Sequence, residues 1–492
     1  MENMSNENMN DMNMSDKDMN NNDISNSNAS NKDMNNKGIN GKDTNKYEID
    51  MCNGPLFSKL ILFSFPLIAS GILQLLFNAA DVIVVGRFAG KEALGAVGST
   101  SSLTNLIVNI FIGLSIGTNV MVARFYGSKN EKDVSEAVHT SILISIIAGF
   151  ILAFIGYILA RPMLTLMGTP DDIVNHSVVY MRIYFLGMPV MMLYNFGSAI
   201  LRAVGDTRRP LIYLSISGVV NVILNLIFVI KFGMGVSGVA YATVISQGIA
   251  AILVVICLMK ADSCIRLDLK KLRLNKIILG QIAGIGFPAG IQGAVFSISN
   301  VIIQSTVNSF GSTVVAGNTA AQSIEGFVYT SMNAIHQAAV SFIGQNSGAK
   351  KMDRVKKSAI ECFLLVTAVG VVLGNLAILF GPQLLSFYSD SPEVIEYGMI
   401  RLKYICFLYC LCGIMDVFVG CLRGLGKAVI TTLISLFGAC ALRIIYIYTL
   451  FPSIRSLGNL YLSYPVSWFI TAIAQMIYFV IAYKEFSKKL KG

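Results

Sequence analysis

The amino-acid sequence predicts an all-α membrane protein with 12 transmembrane helices in two six-helix lobes, related by a pseudo-two-fold axis along the membrane normal. Three observations support this prediction: apolar segments of spanning length, an internal repeat, and an alternating distribution of basic residues between the loops. The composition agrees, because 54% of the 492 residues are hydrophobic and 13% are charged. That charged fraction is about half the value of an ordinary soluble domain.

Apolar segments follow one another from residue 56 to the end of the chain. Each one reaches the length of about 20 residues that a helix needs to cross a bilayer. We place them at 58–86, 92–122, 133–160, 174–203, 208–231, 236–260, 277–306, 313–345, 355–380, 393–423, 428–451 and 461–484.

The chain is expected to divide into four regions. Its first 50 residues are rich in Asn, Met and Ser and contain no apolar run, so this tail is expected to be disordered and cytoplasmic. The regions are the tail (1–50), an N-terminal lobe (51–260), a cytoplasmic linker (261–276) and a C-terminal lobe with a short basic tail (277–492).

Lysine and arginine are concentrated in alternate loops. The loops after segments 2, 4, 6, 8 and 10 are rich in these residues, whereas the loops after odd-numbered segments contain few. Because basic loops remain on the cytoplasmic side, we predict a multi-pass protein of the cell membrane with both termini in the cytoplasm. The net charge of +10 belongs to these loops, so we expect no nucleic-acid partner.

The two halves of the chain repeat one another. At an offset of 222 residues, matching residues are Phe65-Pro66 with Phe287-Pro288, Gly71 with Gly293, Asn78 with Asn300, Gly95 with Gly317, and Lys129 with Lys351. At an offset of 221, Leu201-Arg202 matches Leu422-Arg423 and Gly205 matches Gly426. Six segments per half is an even number, so both halves enter the membrane in the same sense. Matched lobes with a cleft between them are typical of alternating-access transporters.

Segment 1 carries a polar stripe. Gln74, Asn78 and Asp81 follow the spacing i, i+4 and i+7, which places them on one helical face. A carboxylate within hydrocarbon must be paired, hydrated or protonated. The stripe therefore predicts a cavity lining with Asp81 as a functional acid. The alternative is that Asp81 only hydrogen-bonds a neighbouring helix.

Three further polar residues share the depth of Asp81. At 1.5 Å per residue, Asp81, Asn225 and Thr243 lie roughly 8–11 Å below the outer membrane boundary. Asn221 is one turn deeper than Asn225 on the same face. These oxygen-bearing side chains predict a site for a proton or Na⁺. Taken singly, each of the two amides and the hydroxyl is more often a hydrogen-bonding contact between helices than part of a binding site.

The C-terminal half has a different set of charged residues. Asp81 aligns with Ile303, so this half lacks the equivalent acid, but it contains Glu325, Asp416 and Arg443 within its segments. A buried arginine requires an anion or water, so we expect Arg443 to pair with Glu325 or Asp416. The alternative is that these three residues line the cavity and contact substrate. A surplus of acid there would favour cationic substrates.

Motifs for catalysis and cofactor binding are absent from the sequence. There is no GxxxxGK[ST], GxSxG or HExxH pattern, and the 3 histidines and 9 cysteines lack metal-ligand spacing. We therefore expect no enzyme activity, no cofactor, no disulfide framework and no bound metal other than a coupling ion.

Several stretches resemble the multidrug and toxic compound extrusion (MATE) family, within the multidrug/oligosaccharidyl-lipid/polysaccharide flippase superfamily. They are FPLIASGILQLLFNAADVIVVGRFAGKEALGA in segment 1, ARFYGSKNEKD after segment 2, LRAVGDTRRP, and NVILNLIFVIKFGMGVSGVAYAT. The resemblance implies export of organic cations or other amphipathic compounds in exchange for H⁺ or Na⁺. We expect a monomer surrounded by membrane lipid.

The resemblance also implies roles for individual residues. Members of the family use an acid at the position of Asp81 for coupling, with an asparagine at Asn221 and a threonine at Thr243. Many members carry an aspartate where this chain has Asn225, so Asp81 remains the only acid and protons are favoured over Na⁺. Two alternatives are a flippase for a lipid-linked precursor and a non-transporting receptor or scaffold.

Overall fold

The computed structural model describes residues 47–490, and those from Ile49 onward belong to one compact unit. Nearly all of the predicted disordered tail (1–50) lies outside the described residues. The described chain is a helical bundle in which polar loops alternate with long apolar helices.

The first half of the bundle contains seven helices. They are α1 (Leu56–Val84), α2 (Lys91–Gly127), α3 (Glu131–Leu166), α4 (Asp171–Leu186), α5 (Met188–Ala203), α6 (Arg208–Leu226) and α7 (Gly235–Met259). A wider π-helical turn extends α1 over Val85–Ala89 and another extends α6 over Ile227–Lys231.

The second half contains nine helices. They are α8 (Lys276–Asn308), α9 (Ser312–Gly348), α10 (Met352–Leu379), α11 (Gly381–Ser386), α12 (Pro392–Cys406), α13 (Tyr409–Gly424), α14 (Ala428–Ser435), α15 (Leu442–Thr449) and α16 (Leu457–Lys489). A π-helical stretch, Leu436–Ala441, joins α14 to α15.

The described helices account for the 12 predicted spans. Nine stretches are long and apolar enough to cross a membrane, and two bent pairs add one span each: α4 with α5 at 47° and α12 with α13 at 46°. The bend before α5 falls at Gly187, two residues before Pro189, which lacks a backbone N–H. The remaining span is α9, whose 37 residues include many polar side chains.

The repeat is visible in the backbone, with one correction to its register. Left-handed residues recur 221 positions apart: Gly90 (φ 91°) with Gly311 (φ 101°), and Lys129 (φ 57°) with Lys350 (φ 57°). The sequence offset of 222 holds for the prolines inside α1 and α8, but from Gly90 onward the offset is 221. The matches of Lys129 with Lys351 and of Gly95 with Gly317 are therefore wrong by one residue.

A single extra residue in the first half explains the change of offset. A π-helical turn is a one-residue insertion into an α-helix, and Val85–Ala89 lies between the two registers. The equivalent end of α8 is regular α-helix up to Asn308. Compared with α8, α1 therefore contains one additional residue in a wide turn, which begins four residues after Asp81.

The two halves meet at one end of the bundle, which we call the basic end. It carries the loops at 128–130, 204–207, 349–351 and 425–427. Gly127 packs directly on the backbone carbonyl of Gln345, and Gly348 packs in the same way on the carbonyl of Arg124. These contacts are equivalent under the repeat, because Gln345 is the counterpart of Arg124 at the offset of 221. They support the pseudo-two-fold relation between the halves.

Other contacts between the halves also lie at the basic end. Gln345 Nε2 donates to the Ala203 carbonyl at 2.7 Å, and Ser341 Oγ donates to Asn119 Oδ1 at 3.1 Å. Farther into the bundle, α2 and α8 approach so closely at Gly113 and Gly290 that neither has room for a side chain. The structure is therefore closed at the basic end.

Helix α1 belongs to both halves. Near its start, Leu60 and Phe63 are buried in the core of the second half, where the Phe63 ring meets that of Phe342 edge-on at 5.6 Å. Near its end, the Phe77 ring packs on Gly218 of α6 in the first half. The polar stripe of α1 is thus carried by a helix anchored on both sides.

Candidate functional site

The polar stripe of α1 lines a small cavity in the first half of the bundle. Gln74, Asn78 and Asp81 all border it, and its volume is about 40 Å³. The opposite wall comes from α6 and α7 and includes Asn221 and Thr243. A cavity of this size holds about two water molecules or one small cation.

A chain of hydrogen bonds joins four of the predicted site residues. Asn225 Nδ2 donates to Asp81 Oδ1 and, at 3.2 Å, to Asn221 Oδ1. Asn221 Nδ2 in turn lies 3.5 Å from Thr243 Oγ1, and Thr243 Oγ1 donates to the Val239 carbonyl at 3.0 Å. The structure therefore brings together side chains from α1, α6 and α7.

The partner of Asp81 is neutral. Among the described residues, no lysine, arginine or histidine forms an ion pair with this carboxylate. Asn225 is fully buried, and its Oδ1 atom has no hydrogen-bond partner. An unpaired carboxylate beside an orphan amide oxygen attracts a proton or a small cation, because either one would supply the missing positive charge.

Chemical composition limits what this cavity can hold. Carboxylate, amide and hydroxyl oxygens are ligands for H⁺ and for hard cations such as Na⁺. Across residues 47–490, no group of three or more His, Cys, Asp or Glu side chains is placed to hold a metal ion. The donor set fits a proton or one small hard cation.

In the second half, Glu325 has a partner that was not predicted. Arg401 of α12 donates from Nε to Glu325 Oε1 and from Nη2 to Glu325 Oε2, each at 2.8 Å. Both side chains are buried, with exposed fractions of 5% for Glu325 and 3% for Arg401. The expected pair of Arg443 with Glu325 is therefore wrong, because Arg401 occupies both carboxylate oxygens.

Further hydrogen bonds complete this ion pair. Arg401 Nη1 donates to Asn318 Oδ1 at 2.8 Å, and the Tyr461 hydroxyl donates to the same oxygen at 3.0 Å. Sequence reasoning missed Arg401, although an arginine eight residues into segment 10 is the same kind of signal that identified Arg443. The buried network holds α9, α12 and α16 together.

Arg443 is stabilised by aromatic rings instead of a carboxylate. Its Nε donates to Ser467 Oγ at 2.8 Å, and its guanidinium lies 4.4 Å from the ring centre of Tyr464 and 5.5 Å from that of Trp468. Within the described chain it makes no ion pair. The expected pair of Arg443 with Asp416 is therefore also not formed.

Asp416 of α13 is buried with other partners. A ring nitrogen of His336 lies 2.6 Å from the Asp416 backbone carbonyl.

The balance of buried charge differs between the halves. In the described second half, Arg401, Arg423 and Arg443 are buried together with two acids, Glu325 and Asp416. The condition for a negative cavity, a surplus of acid, is therefore not met on that side. Negative charge is instead supplied by Asp81 in the first half.

A family model matches the chain twice, once in each half. The matches cover residues 66–227 and 288–449, and the model is that of the MatE family. The chain belongs to the MatE family. The predicted family is thereby confirmed, and with it a multi-pass membrane transporter built from two repeated lobes.

Individual MatE relatives match over most of their length. The "Probable multidrug resistance protein YoeA" of Bacillus subtilis (strain 168) is 29% identical over 433 residues, which is 86% of this chain and 93% of the relative. The "FAD transporter" of Shewanella oneidensis is 25% identical over 396 residues, or 78% of this chain and 86% of the relative.

A solved MatE structure has the same fold. It is described as the outward-facing conformation of a multidrug resistance MATE family transporter of the MOP superfamily, and it superposes with a TM-score of 0.84. The match covers 91% of this chain and 100% of that structure at 22% identity. The predicted fold class is therefore confirmed.

Proposed function

We propose that this protein is a secondary active exporter that moves organic cations or other amphipathic compounds across the cell membrane in exchange for H⁺. The single observation that supports this most strongly is the Asp81 carboxylate, which borders a small cavity without an ion-pair partner and is hydrogen-bonded to Asn225, whose own Oδ1 has no partner. Na⁺ is the alternative coupling ion. It is disfavoured because the site has one formal charge and no second carboxylate.

Asp81 would act as the coupling group by gaining and losing one charge. The charged carboxylate accepts a strong hydrogen bond from Asn225 Nδ2. Protonation removes the charge, weakens this bond and provides an O–H that can donate to the orphan Asn225 oxygen. The end of α1 would then repack against α6.

The position of α1 carries this change to the other half. Its start lies in the second-half core through Phe63, whereas its end carries Asp81 in the first half. If the basic end is cytoplasmic, the closed contacts at Gly127 and Gly348 correspond to a state open to the outside. Exchange then requires that proton and substrate favour different states, because equal affinity for both would shift nothing.

One observation favours a second substrate class, anionic aromatic compounds. The second half buries one more arginine than acid, and Arg443 is stacked on two aromatic rings. A flavin nucleotide combines aromatic rings with negative charge, and one relative is named an FAD transporter. A zwitterionic substrate would match both halves.

The decisive experiment is counterflow in proteoliposomes under separate proton and sodium gradients. A fluorescent organic cation and a flavin nucleotide serve as probes for the two substrate classes. Wild-type protein is expected to move a probe when a proton gradient alone is applied. Asp81→Asn should abolish the dependence on that gradient. Asp390→Asn, which removes an exposed carboxylate from a loop, is the matched control.

The same experiment separates the alternatives. Transport driven only by a sodium gradient would replace H⁺ with Na⁺. A flippase would leave both probes in place but change the exposure of a lipid-linked precursor, and a scaffold would change neither. Gradient-dependent export that survives in Asp81→Asn would refute the role of that residue.

A further inference from the structure

The residues that precede α1 lie across the basic end of the bundle. We call residues 49–54 the strap. Met51 is fully buried, in the same hydrophobic core of the second half as Leu56 and Leu60. A buried side chain in a six-residue segment outside any helix indicates that the segment is held in a defined place.

Three side chains of the second half hold the strap by its backbone. Arg354 donates three hydrogen bonds to backbone carbonyls of the strap. Its Nε bonds the Met51 carbonyl at 2.9 Å, its Nη2 the Asn53 carbonyl at 2.9 Å, and its Nη1 the Gly54 carbonyl at 3.0 Å. Lys351 Nζ donates to the Cys52 carbonyl at 3.0 Å. Asn346 Nδ2 adds a bond to the Met51 carbonyl at 3.2 Å. Four consecutive carbonyl groups thus have partners in the α9–α10 region.

The strap is also ordered from within. Partial burial acts to raise the pKa of Asp50, but hydrogen bonds from the Asn53 side chain and the Cys52 N–H outweigh it and hold the pKa below its usual value. The charged carboxylate therefore accepts these bonds at neutral pH, and Lys59 Nζ donates to the Asp50 carbonyl at 2.7 Å. The strap is a folded turn joined to the start of α1.

The other face of the strap touches the first half. The backbone of Ile49 packs against Gly205, whose φ of +100° and missing side chain permit the approach. A Cβ atom at Gly205 would lie 2.5 Å from the Ile49 carbonyl oxygen. Next to this contact, Gln345 bridges the halves through the Ala203 carbonyl. The strap therefore spans the junction that closes the basic end.

We propose that the strap is a clasp that stabilises the state closed at the basic end, with Arg354 as its positioning residue. This inference rests on the proposed function in one respect, namely that exchange requires the basic end to open. The two attachments are unequal. Hydrogen bonds and a buried methionine tie the strap to the second half, whereas backbone contact alone ties it to Gly205. On opening, the strap remains on the second half and separates from Gly205.

The test measures the opening of the basic end directly. Spin labels at Lys132→Cys of α3 and Lys356→Cys of α10, both exposed positions, report the distance between the halves in a background without native cysteines. Arg354→Gln and Met51→Ser each weaken the second-half attachment. Each is expected to raise the fraction of long distances, because a strap no longer positioned by the second half loses its contact with Gly205, the contact that exists only in the closed state.

Lys357→Gln is the matched control, because this exposed lysine lies on the same helix without a bond to the strap. It should leave the distance distribution unchanged. Unchanged distance distributions in both Arg354→Gln and Met51→Ser would overturn the proposal. Two variants are used so that the test remains possible if one of them fails to fold. Counterflow by the same wild-type liposomes separates the claims. A distance change without wild-type transport leaves the clasp intact and refutes export, whereas transport without a distance change refutes the clasp alone.

Discussion

Replacing Arg401 by methionine should destabilise the protein more than any surface substitution on the same helix. The guanidinium makes two bonds of 2.8 Å to Glu325 and a third to Asn318. Its loss leaves a carboxylate buried without a partner, and such a change costs about 3–5 kcal/mol. For a half-bundle of this size, each kcal/mol lowers the melting temperature by about 2–4 °C. We therefore expect a decrease of at least about 6 °C.

The physical cause can be isolated with a double variant. Glu325→Leu together with Arg401→Met removes both charges, and apolar replacement of a buried ion pair is often close to neutral. The double variant should therefore recover most of the melting temperature lost by Arg401→Met alone. Thermal unfolding of purified protein, followed by intrinsic fluorescence, measures all three, with exposed Lys403→Met as control. A double variant no more stable than Arg401→Met would refute an explanation based on unpaired charge.

Two further predictions follow from contacts in the first half. Asn225→Asp places a second carboxylate against Asp81, and two adjacent carboxylates favour a cation between them. Counterflow by this variant should therefore be stimulated by Na⁺. A response to Na⁺ identical to that of the wild type would contradict this prediction. Gly127→Val places a side chain against the Gln345 backbone, so the basic end cannot close and counterflow should fall about tenfold or more. Gly98→Val on the same helix is the control, because no atom lies within 4 Å of a Cβ at that position. Equal transport by the two variants would show that the contact between Gly127 and Gln345 is not needed for closing the basic end.

The fold was predictable because membrane-spanning helices are recognised in a sequence by their length and hydropathy. The exception is α9, which was predicted as an apolar segment at 313–345 but contains many polar side chains and falls below a hydropathy criterion. The register of the repeat was less accessible. The sequence shows that the offset falls from 222 to 221 by Leu201-Arg202, but the place of the change, the π-helical turn at Val85–Ala89, is located only by the matching backbone conformations of Gly90 and Gly311.

The site was predictable in part. Helical spacing and depth selected Asp81, Asn221, Asn225 and Thr243, and the structure joins them by hydrogen bonds. Depth does not determine which way a side chain faces, so the partners of Arg443 could not be derived. An arginine can satisfy its charge with aromatic rings as well as with an acid, and the choice between them depends on helix packing.

The double attachment of α1 has a consequence for biosynthesis. Of the described helices, α1 is made first, yet the surface of Phe63 is covered by Phe342, which the ribosome adds far later. Until then that surface contacts lipid, and Met51 has no core to enter. The second half lacks part of its core when expressed from α8 onward. The earliest of the described helices is thus among the last to reach its final environment.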